Sequence, residues 1–311
     1  LMSEFGAEFF PKNKFNFPLK LISSEMPIGI KYNSGVSAQL KSAVMLAGLN
    51  SYGITEIKEK EISRDHSENL LIKNVDSVKV KKKPIKLIKI FGKKQLTPID
   101  IKIPGDPSSA AFFTALTLLS KNSYLIVKNV GLNPTRIGFY DLLKKHKANI
   151  KFKNKKKKHN ELFGDIHIKS SKLAPLKASK KYYVKSTDEY PILFVIAALT
   201  NGRSVFKGIG DLANKESNRI KEMQKVLRQI GIKSEVKKNE VKIYGNAFIE
   251  KVNKTIYVPN LGDHRICMST FILSSLTGIK TKIKNFETVF TSAPSFLNII
   301  KQLGGKFEIK K

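Results

Sequence analysis

The chain of 311 residues has a single cysteine, Cys267, which excludes an internal disulfide framework and suits a reducing, cytoplasmic setting. Its five histidines show no metal-ligand spacing, so no metal and no cofactor is expected. No apolar run approaches the roughly 20 residues that a membrane helix requires. The opening "LMSEFGAEFF" has no basic region followed by an apolar stretch, and no signal peptide is read there. Acidic residues are scarce: 25, against 57 lysines and arginines, for a net charge of +32. Arginine is scarcer still. Of those 57 only six are arginine, namely Arg64, Arg136, Arg203, Arg219, Arg228 and Arg265.

What is present is a globular composition, 41% hydrophobic, with enough length for two domains. Lysine crowds stretches such as "KNKKKKHNE" and "VKVKKKPIKLIK", which read as solvated loops and strand faces. Binding to nucleic acid through this diffuse charge is expected to be weak, sequence-blind and steeply salt-dependent. Arginines that persist in so lysine-rich a chain carry more information, because lysine cannot replace a bidentate fork without loss.

A recurring unit runs along the chain: polar loop, apolar helix, turn, strand, second polar loop, amphipathic helix, closing strand or hairpin. Copies begin at "SGVSAQLKSAVMLAGLN", "PGDPSSAAFFTALTLL", "STDEYPILFVIAALT" and "GDHRICMSTFILSSLTG". The apolar helices are hydrophobic nearly all round and are expected to be buried. The second helices are one-sided, as in Ile220, Met223, Val226, Leu227 and Ile230. Helix–strand repetition argues an α/β fold. The endings "VLRQIGIKSEV", "IIKQLGGKFEI" and "LLKKHKANIKF" resemble the first ten residues, so the chain is expected to start in mid-unit, with Leu1 inside a second helix.

Residues capable of chemistry cluster in the loops that open helices, where free N–H groups and the helix dipole favour anions. "NKESNR" holds Lys215, Glu216 and Arg219, with Lys215 and Arg219 spaced for one helical face; an exposed charged turn is the plainer reading. In "GDHRIC", Asp263 suits an N-cap, with Arg265 as its partner. In "STDEYP", Asp188 is either an N-cap or a general base. Ser37 and Gln39 suit a phosphate or a polyol, or Ser37 simply caps. In "SRDHSE", Ser63 reads as a cap and Arg64 as a phosphate fork. Asp106 followed by Pro107 reads as structural capping. If these slots converge, three arginines, a lysine and two carboxylates make a cleft for a substrate with several negative charges.

Taken together, "SAQLKSAVMLAGL", "SRDHSE", "PGDPSSAAFF", "DEYP", "KESNR" and "DHRICMS" resemble the 5-enolpyruvylshikimate-3-phosphate synthase family, in its order and over nearly the whole chain. The resemblance implies the enolpyruvyl transferase fold: two domains of repeated α/β units, an inside-out α/β barrel, closing around substrates. Here the domains are 1–103, with its first unit incomplete, and 104–311. It implies transfer of the enolpyruvyl group of phosphoenolpyruvate to the 5-hydroxyl of shikimate 3-phosphate, with release of phosphate. Ser37, Ala38, Gln39, Arg64, Asp188 and Lys215 would contact shikimate 3-phosphate; Gln39, Arg219 and Arg265 would contact phosphoenolpyruvate. Asp188, Glu216 and Lys215 would handle protons. The partners implied are these two small molecules, without a membrane or a specific nucleic acid, in a protein that is monomeric when complete. The family's N-terminal lysine–serine–arginine motif and its Asn-x-Gly-Thr…Arg motif are absent, and Pro294 stands where some members carry lysine. This chain alone is therefore expected not to turn over. The alternatives are a UDP-N-acetylglucosamine enolpyruvyl transferase, against which stands Cys267 inside a predicted buried helix, a basic nucleic-acid-binding protein, and an inactive remnant that still binds shikimate 3-phosphate.

Overall fold

The structure, a computed structural model, describes residues 1–13, 16–74, 76–82, 84–249 and 255–309. It divides into two compact units, the first of residues 1–103 with 157–162, the second of residues 104–156 with 163–311.

In the first unit, Met2–Phe5 form a single 3-10 turn closed by Gly6 at φ 95°, where an α-helix end was expected. Strands β1 (Glu8–Phe10) and β2 (Lys20–Ile22) pair antiparallel. Then follow β3 (Lys31–Ser34), α1 (Ala38–Asn50), β4 (Ile54–Glu59), α2 (His66–Leu71), β5 (Val78–Lys81) and β6 (Lys86–Phe91). The sheet order is β3-β4-β6-β5; β3 and β4 run parallel, and β6 is antiparallel to both its neighbours. Period-two alternation turns Thr55, Ile57 and Glu59 of β4, and Lys86, Ile88 and Ile90 of β6, inward.

Helix α1 differs from expectation. It buries one stripe, Lys41, Val44, Met45, Gly48 and Leu49, while Leu40 and Leu46 stay 50% and 59% exposed. The i, i+3, i+4, i+7, i+8 spacing of that stripe is what one sheet face covers. Within this unit α1 has the sheet on one side only.

The polar ends of the inward-facing positions meet in a buried four-charge network. The Lys41 ammonium lies 3.0 Å from Glu59 and 2.7 Å from Glu68, and that of Lys86 lies 2.9 Å and 2.6 Å from the same two carboxylates. Lys41 also donates to the Arg64 carbonyl at 2.8 Å, and Ser63 donates to Glu59 from both its amide and its hydroxyl. Burial pushes the Glu59 carboxyl up, yet the Ser63 and lysine interactions outweigh it and hold it low. Burial pushes the Lys86 ammonium down, yet Glu68 and Glu59 outweigh it and hold it high. The sign follows for each group. Glu59 stabilises fully above the unfolded glutamate pKa of about 4.3, and this is lost as pH falls through its lower folded value. Lys86 stabilises fully below about 10.4, and this is lost as pH rises through its higher folded value. The first unit is expected to hold level stability between about pH 5 and 10 and to weaken below about pH 4. Amide exchange of β4 and β6 at several pH values checks this; equal protection at about pH 3.5 and 7 would contradict it.

The second unit runs through α3 (Pro107–Leu119), β7 (Tyr124–Gly131), α4 (Gly138–Lys145), β8 (Asn149–Lys158), β9 (Glu161–Lys169), β10 (Lys177–Ala178), α5 (Lys180–Ser186) and α6 (Tyr190–Ala198). It continues with β11 (Gly202–Lys207), α7 (Arg219–Gln229), β12 (Lys233–Lys237), β13 (Glu240–Gly245), β14 (Ile256–Val258), α8 (His264–Thr277), β15 (Thr281–Ile283) and α9 (Phe296–Gln302). Helices α3, α6 and α8 pack on one another, and all nine residues of α6 are buried. Helix α7 buries Ile220, Met223, Val226 and Leu227 on one side, as its periodicity predicts.

The sheet β10-β11-β13-β12 repeats the order and strand sense of β3-β4-β6-β5. A third sheet, β7-β9-β8, is joined in parallel by a bridge from Gly105 to Val130, and β14 pairs in parallel with β15. The full unit thus occurs three times, opening at α1, α3 and α6, and the fourth copy, opening at α8, is abbreviated. The closing strand expected at the end of the fourth copy does not form over 305–309. Gly304 and Gly305, at the end of α9, supply no side chain with which to continue a strand face.

Candidate active site

Three of the six arginines are buried, all in the second unit: Arg136 (7% exposed), Arg219 (1%) and Arg265 (8%). A buried guanidinium must find carboxylates, and their arrangement defines the candidate site.

Arg219 is the first residue of α7. Asn218 caps that helix by accepting from the Lys221 amide at 3.0 Å. A cation at a helix start is electrostatically disfavoured, and Asp263 offsets the cost. Arg219 Nε donates to Asp263 Oδ2 at 2.9 Å and its Nη2 to Oδ1 at 3.3 Å, a bidentate fork. The same Nη2 donates to Glu216 Oε2 at 2.6 Å, and Nη1 lies 3.8 Å from Asp188 Oδ1. One guanidinium therefore gathers three carboxylates.

Asp263 also caps α8, accepting from the amides of Arg265 and Ile266, and it accepts from the Ser217 hydroxyl at 2.8 Å. Burial pushes its carboxyl up, but Arg219 and Ser217 outweigh burial and hold it below the usual range. The capping expectation holds. The side chain paired with Asp263 is Arg219, not Arg265 as expected, because the Arg265 guanidinium instead stands over the Phe112 ring, 6.0 Å from its centroid. Arg265 Nη1 is buried and has no hydrogen-bond partner among the described residues.

Asp188 lies in a 3-10 turn, Thr187–Glu189, between α5 and α6. It does not cap: residue 189 holds the N-cap position of α6 and makes no side-chain cap bond. Its carboxylate is 24% exposed, with Oδ1 toward Arg219 and Oδ2 3.5 Å from Arg136 Nη2. Arg136 Nη1 donates to Glu189 Oε1 at 2.9 Å, and Ser108 makes short contacts with both Arg136 and Glu189.

Lys215 differs from expectation. Because Asn218 starts the helix at Arg219, Lys215 ends the preceding 3-10 helix, Gly210–Asn214, and shares no helical face with Arg219. Its ammonium lies 3.1 Å from Asp211, which also accepts from the Tyr183 hydroxyl at 2.8 Å. Burial pushes the Tyr183 phenol well above its ordinary range, and Asp211 adds to this.

In the first unit Ser37 caps α1, its hydroxyl accepting from the Leu40 amide at 3.4 Å. Ala38 is half-buried and Gln39 exposed in the first turn. Arg64 is half-buried, and its carbonyl is tethered to Lys41, one turn into the same helix. Ser63 does not cap α2; its hydroxyl is taken by Glu59, and Asp65 holds the cap position without a cap bond. Asp106 caps α3 as expected, accepting from the amides of Ser108 and Ser109.

Sequence reasoning missed Arg136, Glu189 and the Asp263–Arg219 fork. The signal for Arg136 was present: it is an arginine kept in a lysine-rich chain. Cys267 is 1% exposed inside α8, and burial, with the Asp263 charge, pushes its thiol up to about 12. Such a thiol is no nucleophile. Among the described residues no group of three His, Cys, Asp or Glu side chains could hold a metal ion, and no helix is long and apolar enough to cross a membrane.

The fold is that of the enolpyruvyl transferases. The enolpyruvyl transferase NikO from Streptomyces tendae shares it at 13% identity, with a TM-score of 0.75 over 98% of this chain and 70% of its own. The sequence narrows the class. A family profile for EPSP synthase (3-phosphoshikimate 1-carboxyvinyltransferase) matches residues 2–300. The 3-phosphoshikimate 1-carboxyvinyltransferase of Zymomonas mobilis subsp. mobilis is 36% identical over 312 residues, covering 99% of this chain and 69% of that relative. The solved EPSP synthase from Acinetobacter baumannii is 31% identical, with a TM-score of 0.81 over 99% of this chain and 70% of its own. The chain belongs to the EPSP synthase family.

Proposed function

We propose that this chain carries the reaction of its family, transfer of the enolpyruvyl group from phosphoenolpyruvate to the 5-hydroxyl of shikimate 3-phosphate, and that Asp188 and Glu216 divide its proton transfers. Asp188 takes the 5-hydroxyl proton as the oxygen bonds to C2 of phosphoenolpyruvate. Glu216 delivers a proton to the methylene carbon, giving a tetrahedral intermediate. Glu216 then recovers a proton from the new methyl group as the C2–phosphate oxygen bond breaks, and phosphate leaves with the proton that Asp188 took, so both carboxyl groups return to their starting states. Lys215 binds the acceptor hydroxyl. Arg219 and Arg265 hold the carboxylate and phosphate of phosphoenolpyruvate, and the first unit's Ser37, Ala38, Gln39 and Arg64 are its substrate-binding residues.

One observation carries the reading: Arg219 binds Glu216 and faces Asp188 from separate nitrogens, while Arg265 keeps a buried donor without a partner among the described residues. Two carboxylates for two proton transfers thus stand at a cationic group that an anionic substrate can share. Cations fixed in advance stabilise charge as it shifts in the intermediate.

The test is a phosphate-release assay with both substrates. It is run on the chain itself and on a version joined to the part of a curated relative outside the matched region. Turnover with shikimate 3-phosphate, and none with UDP-N-acetylglucosamine as acceptor, is expected from the joined version. Arg265→Lys should raise KM for phosphoenolpyruvate by about 10-fold or more, since an ammonium cannot reproduce a fork. No turnover in the joined version, or preference for the UDP-sugar, would overturn the assignment.

A further inference from the structure

Arg136 reaches from the loop between β7 and α4, where its amide donates to the Asn133 carbonyl at 2.8 Å. Its guanidinium is buried and touches two other segments. One is the start of α3, through Ser108 and, at 3.8 Å, Asp106; the other is the Thr187–Glu189 turn, through Glu189 and Asp188. Glu189 is 2% exposed, and its carboxylate accepts from Arg136 Nη1 at 2.9 Å and from the Ser108 hydroxyl. Arg136 thus ties the turn that carries Asp188 to the start of α3 and to the loop between β7 and α4.

We propose that Arg136 is a positioning residue for Asp188: through Glu189 and Ser108 it fixes the Thr187–Glu189 turn, and its Nη2 faces one carboxylate oxygen of Asp188 while Arg219 faces the other. This rests on the assignment of Asp188 as the base. A carboxylate set between two guanidiniums has its plane fixed, so a lone pair is aimed where the acceptor hydroxyl must lie. The second cation also sets how readily Asp188 takes a proton. The charged and titratable groups around Asp188 include Arg136 with Asp106 and Glu189, Arg219 with Glu216 and Asp263, and Tyr183 with Asp211 and Lys215. Removing Arg136 leaves Arg219 as the one guanidinium facing Asp188 among these.

The experiment uses the more active of the two forms assayed above. Arg136→Gln alone would strand the buried Glu189 charge, so it is paired with Glu189→Gln. That pair is expected to lower kcat roughly 10- to 100-fold with little change in KM for phosphoenolpyruvate. It should also move the acid limb of the kcat–pH profile up by about 1 to 2 units. Arg136→Lys keeps the charge but not the fork, so its acid limb should match wild type while kcat recovers only in part. In an Asp188→Asn background, the Gln pair should change nothing further. A wild-type kcat and acid limb in the pair would overturn the inference, as would an equal loss in the Asp188→Asn background, which marks a general structural role. Near-normal turnover in Asp188→Asn alone would instead sink the assignment of the base, and this inference with it.

Discussion

Asp188→Ala and Glu216→Gln are each expected to lose at least about 100-fold in turnover while the second unit stays folded. The fold is expected to survive because neither residue closes a buried pair by itself. Without Asp188, Arg219 keeps Asp263 and Arg136 keeps Glu189; without the Glu216 charge, Arg219 still holds the Asp263 fork. The two losses should differ in kind. Glu216→Gln should leave shikimate 3-phosphate affinity near wild type but abolish exchange of the phosphoenolpyruvate methylene hydrogens with heavy water. Asp188→Ala should weaken shikimate 3-phosphate binding as well, because the base also accepts from the bound hydroxyl. Calorimetry, proton NMR of the exchange and a thermal melt check the three points. Full turnover in either variant would remove that residue from the mechanism.

The second large effect lies in the first unit. Lys41→Met is expected to destabilise it by about 3–5 kcal/mol, the range found when one partner of a buried ion pair is removed. Two carboxylates, Glu59 and Glu68, would then share the single ammonium of Lys86. That is a large part of the stability of an ordinary domain, about 5–15 kcal/mol. The loss should appear in amide exchange of β4 and β6 and spare α6 and α8. Adding Glu68→Gln removes the surplus charge and should restore part of the protection. If Lys41→Met exchanges like wild type, the four-charge network contributes nothing measurable.

Much of this was legible in the sequence, and the failures have causes. Composition located α6 and α8, which are apolar nearly all round, and periodicity located the one-sided α7. It overestimated the burial of α1, whose apolar residues on the second face, Leu40 and Leu46, have no partner within their unit. A pattern states that a face is apolar, not what covers it. The site was legible where chemistry is local, as at Asp263, an N-cap two residues before Arg265. It was not legible where contacts span the chain. Arg219 meets Asp263 across 44 positions, and Arg136 meets Glu189 across 53. The spacing of Lys215 and Arg219 suggested one helix face because nothing in the pattern revealed that Asn218 would cap between them.

The division of labour between the two basic residue types bears on chemical labelling. Most lysines lie on the surface, whereas Lys41 and Lys86 are shielded within the first unit and Arg136, Arg219 and Arg265 within the second. Amine-selective acylation would therefore coat the outside and erase much of the positive charge while leaving every guanidinium intact. Lys215, 30% exposed and beside the site, would be the informative exception among the amines. A dicarbonyl reagent selective for arginine would behave the opposite way: Arg203 and Arg228 are open to it, and the buried three become reachable only as fast as their surroundings open. Measured residue by residue, the rate of that modification reports the breathing of the candidate site, and its slowing by a bound anion would report occupancy.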